Sequence, residues 1–314
     1  MHTTAVVIEE PKRLALRRVS LVEPADADVV VAVEWSGIST GTERLLYSGA
    51  MPPFPGLGYP LVPGYEAVGR VIAAGSASGR SVGQRVFIAG ARCFDDVKSL
   101  FGSNAARLIV PGAKAFPLAD HVAMDGALLA LAATARHAGW HAGATPPDLI
   151  VGHGALGRLL ARLTVALSPG ARPPTVWEVN PARRTAAMGY SVIHPDDDDR
   201  RDYRAIYDVS GSAGLLNSFI ERLAPGGEVV LAGFYDSLTF NFVPAFLREA
   251  RLRVAAEWRA DDLQAVVDMT NAGTLRLDGI ITHRSDAADA CQAYPVAFSD
   301  PECVKMVLDW RDAA

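Results

Sequence analysis

The stretch Asp148–Leu149–Ile150–Val151–Gly152–His153–Gly154–Ala155–Leu156–Gly157, with the apolar and basic run from Arg158 to Leu167, constrains this chain more than any other. An apolar strand runs straight into Gly-x-Gly-x-x-Gly, and Leu159, Leu160, Leu163 and Ala166 then recur at helical spacing. Strand, tight turn and helix in that order make a dinucleotide cradle. Gly152 permits the turn, Gly154 lets backbone approach a pyrophosphate, and Gly157 lets helix and strand pack closely, leaving phosphate at the helix N-terminus. About twenty residues past the last glycine, Thr175–Val176–Trp177–Glu178 reads as a second strand ending in an acid that can hold an adenine ribose through its hydroxyls.

A chain of 314 residues suits two domains. With 50% hydrophobic and 21% charged residues and a net charge of −5, it carries no basic footprint for nucleic acid. Cys93, Cys291 and Cys303 are too few and too scattered for a disulfide framework or a four-cysteine zinc site, and each reads as a packed thiol of a reducing cytosol. The first residues lack a signal-peptide pattern and no apolar run is long enough to span a bilayer, so the expected location is cytoplasmic.

The front of the chain is β-rich: Ala5 to Ile8, Ala15 to Val22 and Val29 to Ser36 read as short strands, followed by Ala67 to Ala73, Gln84 to Ala89 and Arg107 to Val110. Between them, Gly37 to Gly64 is dense in Gly and Pro and reads as one long loop, with an apolar portion from Met51 to Tyr59. Near Asp125 the pattern turns to alternating helix and strand, which places a domain boundary there. Later strands are expected at Ser191 to Ile193, Ala205 to Ser210, Gly227 to Gly233 and Leu252 to Ala256, with a helix starting at Pro181. Ser210, Gly211, Ala232, Gly233 and Phe234 then fall at the carboxyl edge of a parallel sheet, where doubly wound folds bind ligands. The acidic run Asp196 to Asp199 reads as a solvated turn without chemistry.

Several segments together resemble the medium-chain dehydrogenase/reductase superfamily: Val31 to Ser39, Pro60–Leu61–Val62–Pro63–Gly64–Tyr65–Glu66, Ser81–Val82–Gly83–Gln84–Arg85–Val86, and the closing pattern through Ala293–Tyr294 and Lys305–Met306–Val307. The resemblance implies a GroES-like β-barrel domain over 1–125, completed by 259–314, and a Rossmann doubly wound parallel sheet over 126–258. The runs Ser39–Thr40–Gly41–Thr42–Glu43–Arg44 and Trp177 to Arg184 look most like a subgroup that lacks the zinc lobe. That subgroup oxidises the 3-(1-hydroxyethyl) group of a (bacterio)chlorophyllide to acetyl with NAD in bacteriochlorophyll biosynthesis. Cofactor contacts are then expected from Gly152, His153, Gly154, Ala155, Leu156, Gly157, Glu178, Arg183 and Thr134, besides the sheet-edge residues above.

The zinc enzymes of this superfamily hold their metal with a Cys, a His and a Cys or Asp, with a Glu nearby. The matching positions here carry Ser39, Tyr65 and Ala130, and only Glu66 is retained. A hydroxyl, a phenol and a methyl hold no zinc, so no catalytic metal is expected, and a lone His137 on a helix pattern reads as a satisfied helix residue. Tyr65, Ser39, Thr40 and Thr42 supply hydroxyls expected to border the nicotinamide, with Glu66 available behind Tyr65, and either Glu66 or water taking the proton onward. For Tyr65 a buried tyrosine with a hydrogen-bonded hydroxyl is the alternative. Met51, Phe54, Leu57 and Tyr59 are expected to receive a large planar tetrapyrrole. Two other functions stay open from the residues alone: an NADPH-dependent zinc-free quinone or enoyl reductase, and a non-catalytic nicotinamide- or pigment-binding protein. Assembly into a homo-oligomer is likewise open.

Overall fold

The structure, a computed structural model, describes residues 1–313 and divides into two compact units. The first comprises Met1–Ala130 and the C-terminal segment from Leu277; the second is Leu131–Arg276.

In the first unit the long strand Asp28–Ile38 is the centre of a seven-stranded sheet. Its run of Val29, Val30, Val31, Val33 and Trp35 is buried, as β-branched and aromatic side chains on a packed sheet should be. It pairs antiparallel with Ala67–Ala74 and Arg107–Pro111, and its last residues pair with Met306–Asp309 from the far end of the chain. In that register Met306 lies opposite Ile38, which brings Lys305 to the exit of the strand that carries Ser39. A second sheet pairs His2–Glu10 with Arg13–Ser20 and with the short strand Leu61–Val62.

The stretch from Gly37 to Gly64 is not one uninterrupted loop. Thr42–Ser48 forms a helix, free of Gly and Pro, that buries Leu46 and ends at Gly49, whose φ of 76° supplies the left-handed cap. Met51 to Pro60 carries no helix or strand, as its prolines and glycines dictate.

The second unit is a six-stranded parallel sheet. Its order runs Ser191–Ile193, Thr175–Trp177, Leu149–Val151, Tyr203–Asp208, Leu223–Leu231, Arg251–Val254. The chain goes outward one way from Leu149–Val151 and then returns to its other side, so the switch point lies at the carboxyl end of that strand. The helix expected at Pro181 is only a single 3-10 turn, Pro181–Arg184, capped by the Asn180 side chain.

Residues 259–276, read from the sequence as part of the first domain, pack with the second unit. Helix Ala260–Asn271 buries Leu263, Val266 and Val267, and its Asp262 accepts from Arg136 Nη1 at 2.6 Å and pairs with His137 Nδ1 at 2.8 Å on helix Leu129–Trp140. His137 is thereby satisfied within the fold. The acidic run also departs from expectation at Asp198, which is buried and accepts from Trp177 Nε1 at 2.7 Å and Tyr203 OH at 2.5 Å. Burial alone would raise its pKa, but the hydrogen bonds win and lower it. Cys93 and Cys303 are packed as expected, whereas Cys291 is exposed. Among the described residues no helix is long and apolar enough to cross a membrane.

Candidate dinucleotide cradle and hydroxyl site

In the second unit, strand Leu149–Val151 ends at Gly152, whose φ of 105° only glycine adopts without strain. Helix Ala155–Leu167 then starts behind Gly154, with no side chain capping its first amides. A Cβ on Gly154 would meet nothing within 4 Å, so the space in front of those amides is open to a ligand. A Cβ on Gly157 would stand 1.9 Å from the Gly152 carbonyl oxygen, so the third glycine is what allows the helix to start this close to the strand. Ala155 and Leu156, half-buried, form the first helical turn.

Glu178 stands at the end of the second strand as the spacing predicts, and it is already bonded. Its Oε2 accepts the His153 N–H at 3.0 Å and its Oε1 accepts the Asn180 N–H at 2.8 Å. The side chain therefore joins the glycine turn to the following turn, while a carboxylate with about four acceptor sites retains capacity for hydroxyls. The His153 imidazole is buried and engaged at both nitrogens: Nδ1 donates to the Arg183 carbonyl at 2.6 Å and Nε2 accepts from Tyr190 OH at 2.9 Å. Burial lowers its pKa to about 4, so it is neutral. What His153 offers a ligand is the shape of its turn, since its ring is spent inside the protein. Arg158, from the helix, adds hydrogen bonds to the His153 and Arg183 carbonyls.

At the end of strand Tyr203–Asp208, Asp208 takes the Ser210 N–H at 2.9 Å, the Ser210 hydroxyl at 2.6 Å and Tyr235 OH at 2.8 Å. A Cβ on Gly233 would lie 2.8 Å from Gly211 Cα, so the loops holding Ser210–Gly211 and Ala232–Gly233 touch, while the Phe234 side chain is exposed. Sequence reading found these loops but not Asp208 and Tyr235, which shape them. Thr134 is half-buried on helix Leu129–Trp140.

In the first unit, Ser39 follows strand Asp28–Ile38 and Tyr65 follows Gly64, and their hydroxyls meet at 2.7 Å. The Thr42 N–H points at Ser39 Oγ at 3.4 Å, whereas Thr40 is exposed. Burial, and next the Glu66 charge, raise the Tyr65 pKa well above its usual value, so it stays a neutral phenol. Its ring meets Phe101 edge-on at 5.6 Å, and Phe101 meets Phe54 at 6.3 Å. Phe54 is exposed, but Met51, Leu57 and Tyr59 pack partly against a small core of Ile8, Leu46, Leu61 and Leu100. These three residues, read from the sequence as ligand-lining, therefore also anchor their loop, and Tyr59 OH bonds the Leu46 carbonyl at 2.5 Å.

Of the two onward acceptors named above, Glu66 is already engaged inside the protein. It is fully buried and paired with Lys305 Nζ, whose residue stands in the closing pattern but whose partner could not be read from it. A Cβ on Gly37 would sit 2.6 Å from Glu66 Oε2 and 2.9 Å from Lys305 Cε, so this glycine leaves room for the pair. Bound to an ammonium in a dry interior, Glu66 is a poor acceptor for a proton from Tyr65. Glu43, also missed, is buried beneath Ser39 and bonded to Ser39 N–H, Asn104 and Tyr294. The donor set does not fit zinc: Ser39 offers a neutral hydroxyl, Tyr65 a phenol that burial keeps protonated, and Ala130 carries no ligand atom. Among the described residues no group of three His, Cys, Asp or Glu is placed to hold a metal.

Residues 25–120 match the family model described as alcohol dehydrogenase GroES-like domain. The fold is shared with an alcohol dehydrogenase from Escherichia coli CFT073 whose crystal structure is complexed with the cofactor NADH, at a TM-score of 0.82 and 20% identity, covering 98% of this chain and 99% of that one. The fold is thus that of the medium-chain dehydrogenase/reductase superfamily. Two curated relatives, from Cereibacter sphaeroides and Rhodobacter capsulatus, are each 53% identical over the whole of both chains and are named 2-desacetyl-2-hydroxyethyl bacteriochlorophyllide A dehydrogenase. The chain belongs to the family of these dehydrogenases.

Proposed function

We propose that the chain oxidises the 3-(1-hydroxyethyl) group of a (bacterio)chlorophyllide to a 3-acetyl group in bacteriochlorophyll biosynthesis, with NAD as cofactor and without catalytic zinc. The observation that carries this reading is the Ser39–Tyr65 hydroxyl pair, at the positions that the sequence resemblance matches to the cysteine and histidine of the zinc enzymes. The full-length relatives' names supply the substrate.

The turn of Gly152, Gly154 and Gly157, with the amides of Ala155 and Leu156, fits a pyrophosphate, and Glu178 fits the adenine ribose. When bound, the nicotinamide supplies the acceptor for the hydride that leaves the carbinol carbon. The carbinol oxygen needs a partner that both donates and accepts, and Ser39 Oγ with Tyr65 OH provides two such groups side by side. Because Tyr65 stays a phenol, the pair passes a proton on without storing it, and water is the onward acceptor. A carbinol attached to a conjugated macrocycle spreads into the ring the positive charge that builds as hydride leaves, so less alkoxide character is required and a Lewis acid is less needed. Phe54 and Phe101 extend an aromatic surface from Tyr65 suited to a flat ring. The reading includes a cytoplasmic location.

NAD is favoured because a ribose phosphate would bring its charge against the Glu178 carboxylate. Arg184, which could offset that charge, donates instead to the Glu178 and Val179 carbonyls. Incubating the protein with the hydroxyethyl pigment and either cofactor, and following the pigment spectrum, tests both points. Conversion to the acetyl pigment is expected, faster with NAD than with NADP. Faster conversion with NADP overturns the cofactor assignment alone, and no conversion with either overturns the function.

A further inference from the structure

We propose that Glu43 is a positioning residue for the hydroxyl pair: its buried carboxylate bridges the segment carrying Ser39 to the segment carrying Tyr65 and holds the two hydroxyls in register. The inference rests on reading Ser39 and Tyr65 as the pair that receives the alcohol.

Glu43 lies in the first turn of helix Thr42–Ser48 and is 1% exposed. A carboxylate in such a place is costly unless donors surround it. Three do: Ser39 N–H at 2.9 Å on Oε1, and Asn104 Nδ2 at 3.1 Å with Tyr294 OH at 2.5 Å on Oε2. Asn104 is in turn bound to the Tyr65 segment, since its N–H donates to the Pro63 carbonyl and the Ser103 N–H to the Gly64 carbonyl. Gly64, immediately before Tyr65, has a φ of 95°, and a Cβ there would lie 2.6 Å from the Asn104 side chain. The route Ser39, Glu43, Asn104, Gly64, Tyr65 is therefore continuous contact. Nothing else in that route carries charge.

The ionisable groups that act on Glu43 are Tyr294, Lys305 and Glu66, and Glu43 in turn acts on Tyr65. Burial raises the Glu43 pKa to about 7 against the pull of Tyr294, the Ser39 amide and the Lys305 charge. Its ionised form matches the three donors. Once protonated it must donate, and Asn104 Oδ1, buried without a hydrogen-bond partner, is the acceptor at hand if that amide turns over. Protonation then rearranges the bridge, and oxidation should rise with pH through neutrality.

The test compares the whole protein with Glu43→Gln and Tyr294→Phe in two readouts. In pigment oxidation, Glu43→Gln should lower kcat on the order of 10-fold with KM for NAD unchanged and lose the inflection near pH 7. Tyr294→Phe removes a bond that favours the carboxylate, so it should keep the inflection and move it to higher pH. The second readout needs no turnover: in protein labelled with ¹³C at the tyrosine ring carbon bearing oxygen, with Tyr65→Phe identifying the signal, Tyr65 should report the same titration. That titration should vanish in Glu43→Gln and shift upward in Tyr294→Phe. A Tyr65 signal that does not change around pH 7 in the native protein, or one that titrates identically in both variants, overturns the proposal. If Glu43→Gln does not fold, Tyr294→Phe decides it. If the pigment is not oxidised but Tyr65 follows Glu43, the function reading fails and the positioning role stands.

Discussion

Replacing Tyr65 by phenylalanine is expected to lower turnover of the hydroxyethyl pigment on the order of 10²-fold, the usual effect of losing a group that moves a proton, while cofactor affinity stays at the native value. The substitution removes only the phenolic oxygen and keeps the ring against Phe101. What is lost is the partner 2.7 Å from Ser39 Oγ. Ser39→Ala removes the other half of the pair and should give a loss of similar size, with the double variant little worse than either, because the hydroxyls act as a unit. Stopped-flow rates with saturating NAD measure this. Should Tyr65→Phe keep the native rate while Ser39→Ala or Thr42→Val collapses, the proton belongs to the Ser39–Thr42 turn and Tyr65 only fills space.

Lys305→Met is expected to be among the most destabilising single changes in the first unit. It leaves Glu66, which has no exposed surface, without its ammonium in a site packed against Gly37. Breaking a buried pair from one side costs about 3–5 kcal/mol, for which a drop in Tm on the order of 10 °C follows for a unit of this size. Glu66→Gln combined with Lys305→Met removes both charges and should recover most of the loss. Calorimetry of the three variants checks this, and a Lys305→Met protein as stable as the native one would show that Glu66 is served by other groups.

How far the sequence disclosed these features follows from how local each one is. The cradle was legible because every glycine in it answers to a neighbour a few residues away, as Gly157 answers to the Gly152 carbonyl, and because Glu178 sits at a set distance along the chain. The strands of the parallel sheet were legible for the same reason. The pairings of Lys305, Asn104 and Tyr294 were not, since these residues reach Glu66 and Glu43 across 239, 61 and 251 positions of sequence and meet them only in the folded chain, Lys305 when the last strand pairs with Trp35–Ile38. Helix Thr42–Ser48 was hidden by the glycines and prolines on either side of it. Asp198 was hidden by its company: three neighbouring aspartates made it look solvated, although Trp177 and Tyr203 bury it. Helix Ala260–Asn271 packs with the other unit, where Asp262 finds Arg136 and His137, partners more than a hundred residues away in sequence.

The central claim is that a pair of hydroxyls, and no metal, receives the alcohol. It is tested most directly by measuring oxidation of the hydroxyethyl pigment by protein treated with a strong chelator, with metal content determined on the same sample. The account predicts the untreated rate from protein holding far less than one zinc per chain, and no gain when zinc is returned. A rate that falls with the metal and is restored by one zinc per chain would contradict it.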